Sequence, residues 1–95
     1  MLDLKRLVPP VAVEIMGSHK LRVTFRDGLI GDIDFTDRRW RGVSEPLADP
    51  AFFAQARIDP EIRTVAWPNG FDMAPETLYE RALTHQVQGP GHIVA

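Results

Sequence analysis

Residues 64–79 read TVAWPNGFDMAPETLY, an order that predicts a strand, a tight turn, a second strand and a helix that begins with proline. Pro68 suits the first turn position, Asn69 the second, and Gly70 the third, where the backbone is left-handed. The chain should therefore double back at this turn and then enter the helix.

Counting outward from the turn assigns side chains to the two faces of the hairpin. Trp67 lies opposite Phe71 and Val65 opposite Met73, so these four residues share one face. The residues expected to point the other way are Thr64, Ala66 and Asp72. The hairpin should therefore present its large apolar side chains on one side.

Upstream, three segments alternate apolar and polar residues, a period of two that is typical of half-buried strands. A three-residue loop over 26–28, with Gly28 left-handed, places every apolar partner of the second and third strands on one face. The pairs expected from this loop are Phe25 with Leu29, Val23 with Gly31 and Leu21 with Ile33. These segments should form an antiparallel meander.

Two short helices are indicated by their first residues and by apolar side chains spaced four apart. Asp49 can cap the first helix, and Pro50 fits its first turn. Ala74 precedes the second helix and is a poor cap. Helices this short are marginal in isolation, so both must pack on the sheet.

The predicted fold class is α+β, a small two-layer domain in which an antiparallel meander sheet packs with two short helices. The strands are expected near residues 11–16, 20–25, 29–35, 63–67 and 71–73, and the helices near 50–56 and 75–83. The domain organisation expected is an N-terminal extended segment over 1–10, a single α+β domain over 11–84 and a flexible C-terminal tail over 85–95.

Composition limits the classes of function. The chain has 95 residues, a net charge of −2 and no cysteine, so it forms one domain without disulfides, thiolate metal sites or a cysteine nucleophile. The small net charge gives no global attraction to nucleic acid or anionic lipid. No apolar run approaches the ~20 residues of a membrane span, and the N-terminus lacks the apolar core of a signal peptide. We therefore expect a cytoplasmic protein that does not contact membranes.

Three stretches resemble the bacterial family called domain of unknown function 2442 (DUF2442). They are Leu21–Gly28, Glu45–Phe53 and Trp67–Tyr79, the last carrying WPNGFD and PETLY. The resemblance covers about Val11–Leu83 and implies a small α+β fold with an antiparallel sheet. It also implies compact bacterial proteins, some of them encoded beside small toxin-like genes, and it supplies no catalytic residues. Ala74 departs from the family pattern, which often has cysteine or serine there.

The histidines do not suggest a metal centre. His19, His85 and His92 are scattered over a turn, a helix end and a tail, and no metal-type spacing links them. We expect three exposed, unrelated histidines.

Asp32, Asp34 and Asp37 carry oxygen ligands of the kind that magnesium or calcium prefers. A polar strand face is the better interpretation, in which Lys20 and Arg22 on the neighbouring strand pair with the carboxylates. The sequence therefore predicts no metal and no cofactor.

Arg38, Arg39, Trp40 and Arg41 interleave cations with an aromatic residue. Such a cluster can hold phosphate and stack on a base, which is the nucleic-acid interpretation. It can equally form a surface turn whose tryptophan packs into the core. The sequence favours the surface turn, because nearby aspartates cancel much of the charge.

Asp72 could act as a general base, but a base needs a partner and a pocket, and no such partner accompanies it in the sequence. Hydrogen bonds from nearby backbone or from Thr77 are the better interpretation. The candidate interaction or family-motif positions are Arg38, Arg39, Trp40, Arg41, Trp67, Asn69, Asp72 and Tyr79.

The absence of a reactive constellation favours an interaction or regulatory module without catalysis. The resemblance adds an antitoxin-like role, with a small toxin-like protein or a second copy of the chain as partner, and a homodimer is consistent with exposed strand edges. The first alternative is a regulatory protein that contacts nucleic acid through Arg38–Arg41, and the second is a small enzyme.

Overall fold

The computed structural model describes residues 8–91 and confirms the α+β class. In chain order its elements are β1 (Pro10–Gly17), β2 (Lys20–Phe25), β3 (Ile30–Asp34), a 3₁₀ helix (Gly42–Ala48), α1 (Pro50–Phe53), β4 (Arg57–Asp59), β5 (Thr64–Ala66), α2 (Pro75–Thr84) and β6 (Gln86–Gln88). Strands β1, β2, β3 and β6 form one antiparallel sheet in that order, and β4 and β5 form a second.

The loop between β2 and β3 has the predicted three residues. The Phe25 N–H donates to the Leu29 carbonyl at 2.8 Å, and Leu21 lies opposite Ile33. Gly28 has a φ of 96°, the left-handed conformation that glycine adopts without steric cost. The register is thus set by a turn that keeps the apolar partners on one face.

The hairpin after β5 also has the predicted pairing. The Trp67 N–H donates to the Phe71 carbonyl at 2.9 Å, and the Met73 N–H donates to the Val65 carbonyl at 3.1 Å. Gly70 has a φ of 88°. The second half of the hairpin follows the predicted path.

A strand was predicted near residues 71–73, but the strand pairing there is shorter than predicted. Asp72 forms an isolated bridge with Ala66, and β5 finds its ladder partner in β4 instead. The apolar run at 64–67 therefore pairs with a preceding strand that the sequence pattern did not indicate.

One face of the four-stranded sheet forms the core together with α2, α1 and the β5 hairpin. Gly31 of β3 lies directly under α2, where a Cβ atom would come within 2.6 Å of the Cα of Ala82. The buried residues that define this core include Leu21, Val23, Phe25, Leu29, Ile33, Phe53, Val65, Trp67, Leu78 and Ala82. The helices thus pack on the face of the sheet that was predicted to carry the apolar side chains.

The helix starts agree with the sequence. The Asp49 carboxylate accepts from the Ala51 N–H at 2.9 Å and caps α1, whereas Ala74 before α2 makes no side-chain capping bond. The α1 helix itself ends at Phe53, earlier than the predicted residue 56.

The structure beyond α2 differs from the flexible tail that was predicted over 85–95. Residues 86–88 form β6, which pairs with β3, and the Asp32 N–H donates to the His85 carbonyl at 3.0 Å. The Gly91 N–H donates to the Asp27 carbonyl at 2.6 Å, so the chain stays beside the β2–β3 loop. Within the extended segment predicted for 1–10, β1 already begins at Pro10, and residues 1–7 and 92–95 lie outside the described part.

None of the helices within residues 8–91 combines the length and the apolar character that crossing a membrane requires.

Candidate arginine cleft

A cleft between α2 and the segment after β3 brings together the most suggestive group of side chains. Its inner part has a volume of about 240 Å³. We call it the arginine cleft and define it by Phe35, Arg38, Phe71, Asp72, Thr77 and Arg81. Its floor is aromatic, and its two cations come from different parts of the chain.

The turn after β3 positions Arg38. The Asp34 carboxylate accepts from the Thr36 N–H at 2.8 Å and from the Thr36 hydroxyl, and these bonds lower the pKa of Asp34. The Arg38 N–H then donates to the Phe35 carbonyl at 3.0 Å. This compact turn sends the Arg38 side chain toward α2.

The second cation, Arg81, lies on α2 one turn after Thr77, and both side chains are exposed. The buried residues of this helix are Leu78, Tyr79 and Ala82, so Thr77 and Arg81 occupy the adjoining face. Arg81 was not predicted as a site residue, although the predicted helix and its buried face imply that residue 81 is exposed beside residue 77.

Both guanidinium groups lie on aromatic rings. The Arg38 Cζ lies 4.9 Å from the centre of the Trp40 ring and 5.9 Å from that of Phe71, and the Arg81 Cζ lies 5.4 Å from the centre of the Phe35 ring. Such contacts hold a planar cation in place while its N–H groups remain free to donate.

Within residues 8–91, Arg38 and Arg81 form no ion pair with a carboxylate. The cleft therefore contains two positioned cations that no carboxylate among residues 8–91 pairs with.

Beside the inner part lies an outer region of about 460 Å³, which is lined by Asp34, Asp37 and Arg39 as well as by the two cleft arginines. Asp72 borders the inner part. Arginines and aspartates thus line both regions, and Arg38 and Arg81 are common to the two.

The structure separates the predicted Arg38–Arg41 cluster. Arg39 lines the outer region, whereas Arg41 precedes the 3₁₀ helix and its N–H donates to the Ser44 hydroxyl at 3.1 Å. Trp40 is half-buried, with its ring centre 6.0 Å from that of Phe53. Its ring fills space between the core and Arg38.

Two of the predicted positions serve the fold. Trp67 is 1% exposed, and its indole N–H donates to the Phe53 carbonyl at 2.9 Å, so it belongs to the core and is not available to a partner. The Asn69 side-chain amide donates to the Val43 carbonyl at 2.6 Å and ties the hairpin turn to the 3₁₀ helix.

Tyr79 is also structural. Its ring meets Phe25 edge-on at 5.0 Å, and its hydroxyl donates to the Asp27 carboxylate. Burial and this bond raise the pKa of Tyr79 to about 12. The hydroxyl therefore stays protonated at neutral pH and fastens α2 to the β2–β3 loop.

Asp72 is exposed at the cleft, and no side-chain hydrogen bond joins it to Thr77 in the described structure. Neither the hydrogen bond predicted from Thr77 nor one from nearby backbone reaches the Asp72 carboxylate in the described structure. The carboxylate faces solvent on the rim.

The histidine prediction needs one correction. His19 is half-buried, its Nε2 lies 2.7 Å from the Leu47 carbonyl, and its ring packs 4.9 Å from that of Phe53. His85 is exposed as expected, and His92 lies outside the described residues.

Arg22 and Asp32 form the predicted cross-strand pair, a bidentate contact with distances of 2.8 and 3.1 Å. The hydrogen bond from Arg22 lowers the pKa of Asp32. Within residues 8–91, no three histidine, aspartate or glutamate side chains lie together in a group that could hold a metal ion.

A second cleft, of about 400 Å³, opens beside the start of β1 between Pro9, Arg26 and Arg63. Asp59 lines it too, but its carboxylate accepts from the Glu61 N–H at 2.8 Å and so stabilises the turn before β5. Neither arginine there lies on an aromatic ring in the described structure. The arginine cleft is therefore the better organised of the two.

Comparison with protein-family models gives a match over residues 10–84 to the family described as "Protein of unknown function (DUF2442)". The matched span includes every residue that defines the arginine cleft. The searches of curated proteins and of solved structures gave no match.

Proposed function

Because the chain belongs to the DUF2442 family, whose description assigns no activity, we propose from its own geometry that it is a non-catalytic interaction module that binds a protein partner through the arginine cleft. The observation that carries this proposal is the pair Arg38 and Arg81, held on aromatic rings without carboxylate partners in residues 8–91. Arginine beside aromatic residues is the composition typical of energetic centres in protein interfaces.

The shape of the cleft is suited to a protein partner. An inner part of about 240 Å³ lies beside a wider region of about 460 Å³. The inner part can admit a side chain while the rest of a partner lies over the wider region. The exposed helix face at Thr77 would extend such a contact surface.

The ionisation of the described residues supports a role without catalysis. The groups with perturbed pKa values are Arg22, Asp32, Asp34 and Tyr79, and the shift of each has a structural hydrogen bond among its causes. A general base or acid needs a pKa near the working pH, and the raised pKa of Tyr79 lies far above neutrality. Asp72 in the cleft has no hydrogen-bonded partner to act with in the described structure.

A regulatory, antitoxin-like role, in which the chain covers a small toxin-like protein, is the form of this proposal that the family resemblance favours. Nucleic-acid binding through Arg38, Arg39 and Arg41 has weaker support. Trp40 carries the Arg38 guanidinium on its ring and packs against Phe53, so the ring is not free to stack on a base.

Site-specific crosslinking tests the proposal. A photo-reactive amino acid replaces Thr77, in the cleft, or Gln55, which lines none of the clefts described, and the full chain is expressed in cells of its source organism. We expect one protein adduct from position 77 and none from position 55. Because a charged hydrogen bond is lost, Arg81→Gln should reduce the adduct about tenfold or more.

The proposal fails if position 77 gives no adduct, if position 55 gives the same one, or if only nucleic acid is captured.

A further inference from the structure

We infer that the arginine cleft selects a partner segment that presents one isolated carboxylate next to an apolar side chain, and that it rejects continuous polyanions. This inference rests on the proposed function, because it names the chemistry by which that partner would be recognised. Its basis is the distribution of charge and apolar surface in the cleft.

The cations favour a carboxylate. Arg38 and Arg81 line the same inner cleft, and neither forms an ion pair within residues 8–91. A guanidinium presents parallel N–H donors that match the two oxygens of a carboxylate. Since the rings of Trp40 and Phe35 already hold the two groups, little side-chain freedom is lost when an anion binds.

The floor favours an apolar neighbour of that carboxylate. Phe35 is 2% exposed and Met73 is 6% exposed, and both reach the cleft together with the half-buried ring of Phe71. A small apolar side chain can fill the inner volume against these groups, which removes its own surface and the exposed part of the Phe71 ring from water. The site is therefore suited to a mixed acidic and apolar segment.

The charges around the cleft balance and so limit its attraction for a polyanion. The two regions together are lined by three arginines and by three aspartates, namely Asp34, Asp37 and Asp72. A single carboxylate can lie between Arg38 and Arg81, whereas the further charges of a phosphate backbone would meet the aspartates and gain no net attraction. The protein's net charge of −2 adds no attraction for a polyanion.

Selection from a random peptide library on phage tests the inference with the immobilised full chain. We expect the enriched peptides to share one acidic residue beside an apolar residue. Replacing that acidic residue by its amide in a synthetic, labelled copy should weaken binding about tenfold or more, as should Arg38→Gln or Arg81→Gln. Arg57→Gln, an exposed arginine of β4, is the matched control and should leave binding unchanged.

The conservative variant Arg81→Lys keeps the charge but loses the planar pair of donors, so it should restore only part of the affinity. A labelled single-stranded DNA of similar length should bind at least about tenfold more weakly than the enriched peptides at 0.15 M salt.

The outcomes separate the two claims. Enriched peptides that lack a shared acidic residue but still depend on Arg38 and Arg81 overturn the inference and leave the proposed function standing. Peptides that bind all variants alike, or a library without enrichment, overturn both. DNA that binds as tightly as the peptides through the same arginines overturns both in favour of the nucleic-acid alternative.

Discussion

At the scale of single residues, Gly31 is where helix and sheet come closest. Its hydrogen atom faces Ala82, and a methyl group there would overlap the helix backbone. We predict that Gly31→Ala destabilises the fold by about 3 kcal/mol, the upper end of the range typical of overpacking, because backbone cannot yield as a flexible side chain can. Urea unfolding followed by tryptophan fluorescence measures the change.

Gly17→Ala is the control for this prediction. A Cβ atom at Gly17 would meet its nearest neighbour, the Lys20 Cβ, at an ordinary 3.9 Å. The substitution should shift the free energy of unfolding by less than about 1 kcal/mol. Equal effects at the two glycines would show that the close approach of α2 to β3 does not limit stability.

Ala74 offers a stabilising change. It occupies the N-cap position of α2 without a side-chain acceptor, and its extended backbone suits a capping serine. We predict that Ala74→Ser raises the free energy of unfolding by about 1 kcal/mol, since its hydroxyl can accept a free N–H of the first helical turn. Thermal and urea unfolding check this, with the exposed Ala54→Ser as control. A variant no more stable than the control would contradict the prediction.

At the scale of elements, the pair of Arg22 on β2 and Asp32 on β3 should make stability depend on pH. The pKa of Asp32 is lowered in the folded protein, chiefly by the hydrogen bond from Arg22. The ionised Asp32 carboxylate therefore stabilises the folded state above its unfolded pKa of about 3.9. This stabilisation is lost as the pH falls through the lower pKa of the folded state. We predict that Asp32→Asn destabilises the protein at pH 7 and that the difference shrinks toward pH 3.

Urea midpoints at both pH values measure this effect. Asp37→Asn is the control, because Asp37 is exposed and forms no ion pair in the described structure. If Asp32→Asn lowers the free energy of unfolding by the same amount at pH 3 as at pH 7, the Asp32 carboxylate is not the source of the pH dependence.

The elements that could be predicted from sequence are those whose information is local. The loops ending at Gly28 and Gly70 carry turn residues at defined positions, and these fixed the register of both hairpins. Strands β4 and β6 have only three residues each, too few to show a period. They become strands because β5 and β3 offer unpaired edges, which is information that lies elsewhere in the chain.

The residues of the candidate site likewise include some that local sequence predicts and others that depend on distant contacts. Arg38 and Arg39 were predicted as exposed cations, because charged residues beside a turn are solvated. Arg81 joins them only through the packing of α2 on β3, a contact between distant parts of the sequence. Trp67 was expected near an interaction surface but is buried, because its indole N–H finds an acceptor inside the core.

At the scale of the whole molecule, the two sheets share one core. Val65 and Trp67, from β5 and its turn, belong to the same buried cluster as Leu21 and Phe25 of β2. We predict that the small sheet cannot unfold separately, so that far-UV circular dichroism and tryptophan fluorescence give the same urea midpoint. Two separate midpoints would show that the β4–β5 sheet is an independent unit.

Strand β6 has a practical consequence for anyone who trims the chain. The family match stops at residue 84, just before this strand begins. A fragment cut at that boundary would leave the outer edge of β3 bare, including the Asp32 amide that now donates to His85. An unpaired strand edge can pair with a strand of another molecule. Such a fragment should therefore precipitate during purification under conditions in which the chain that extends to Gly91 stays in solution.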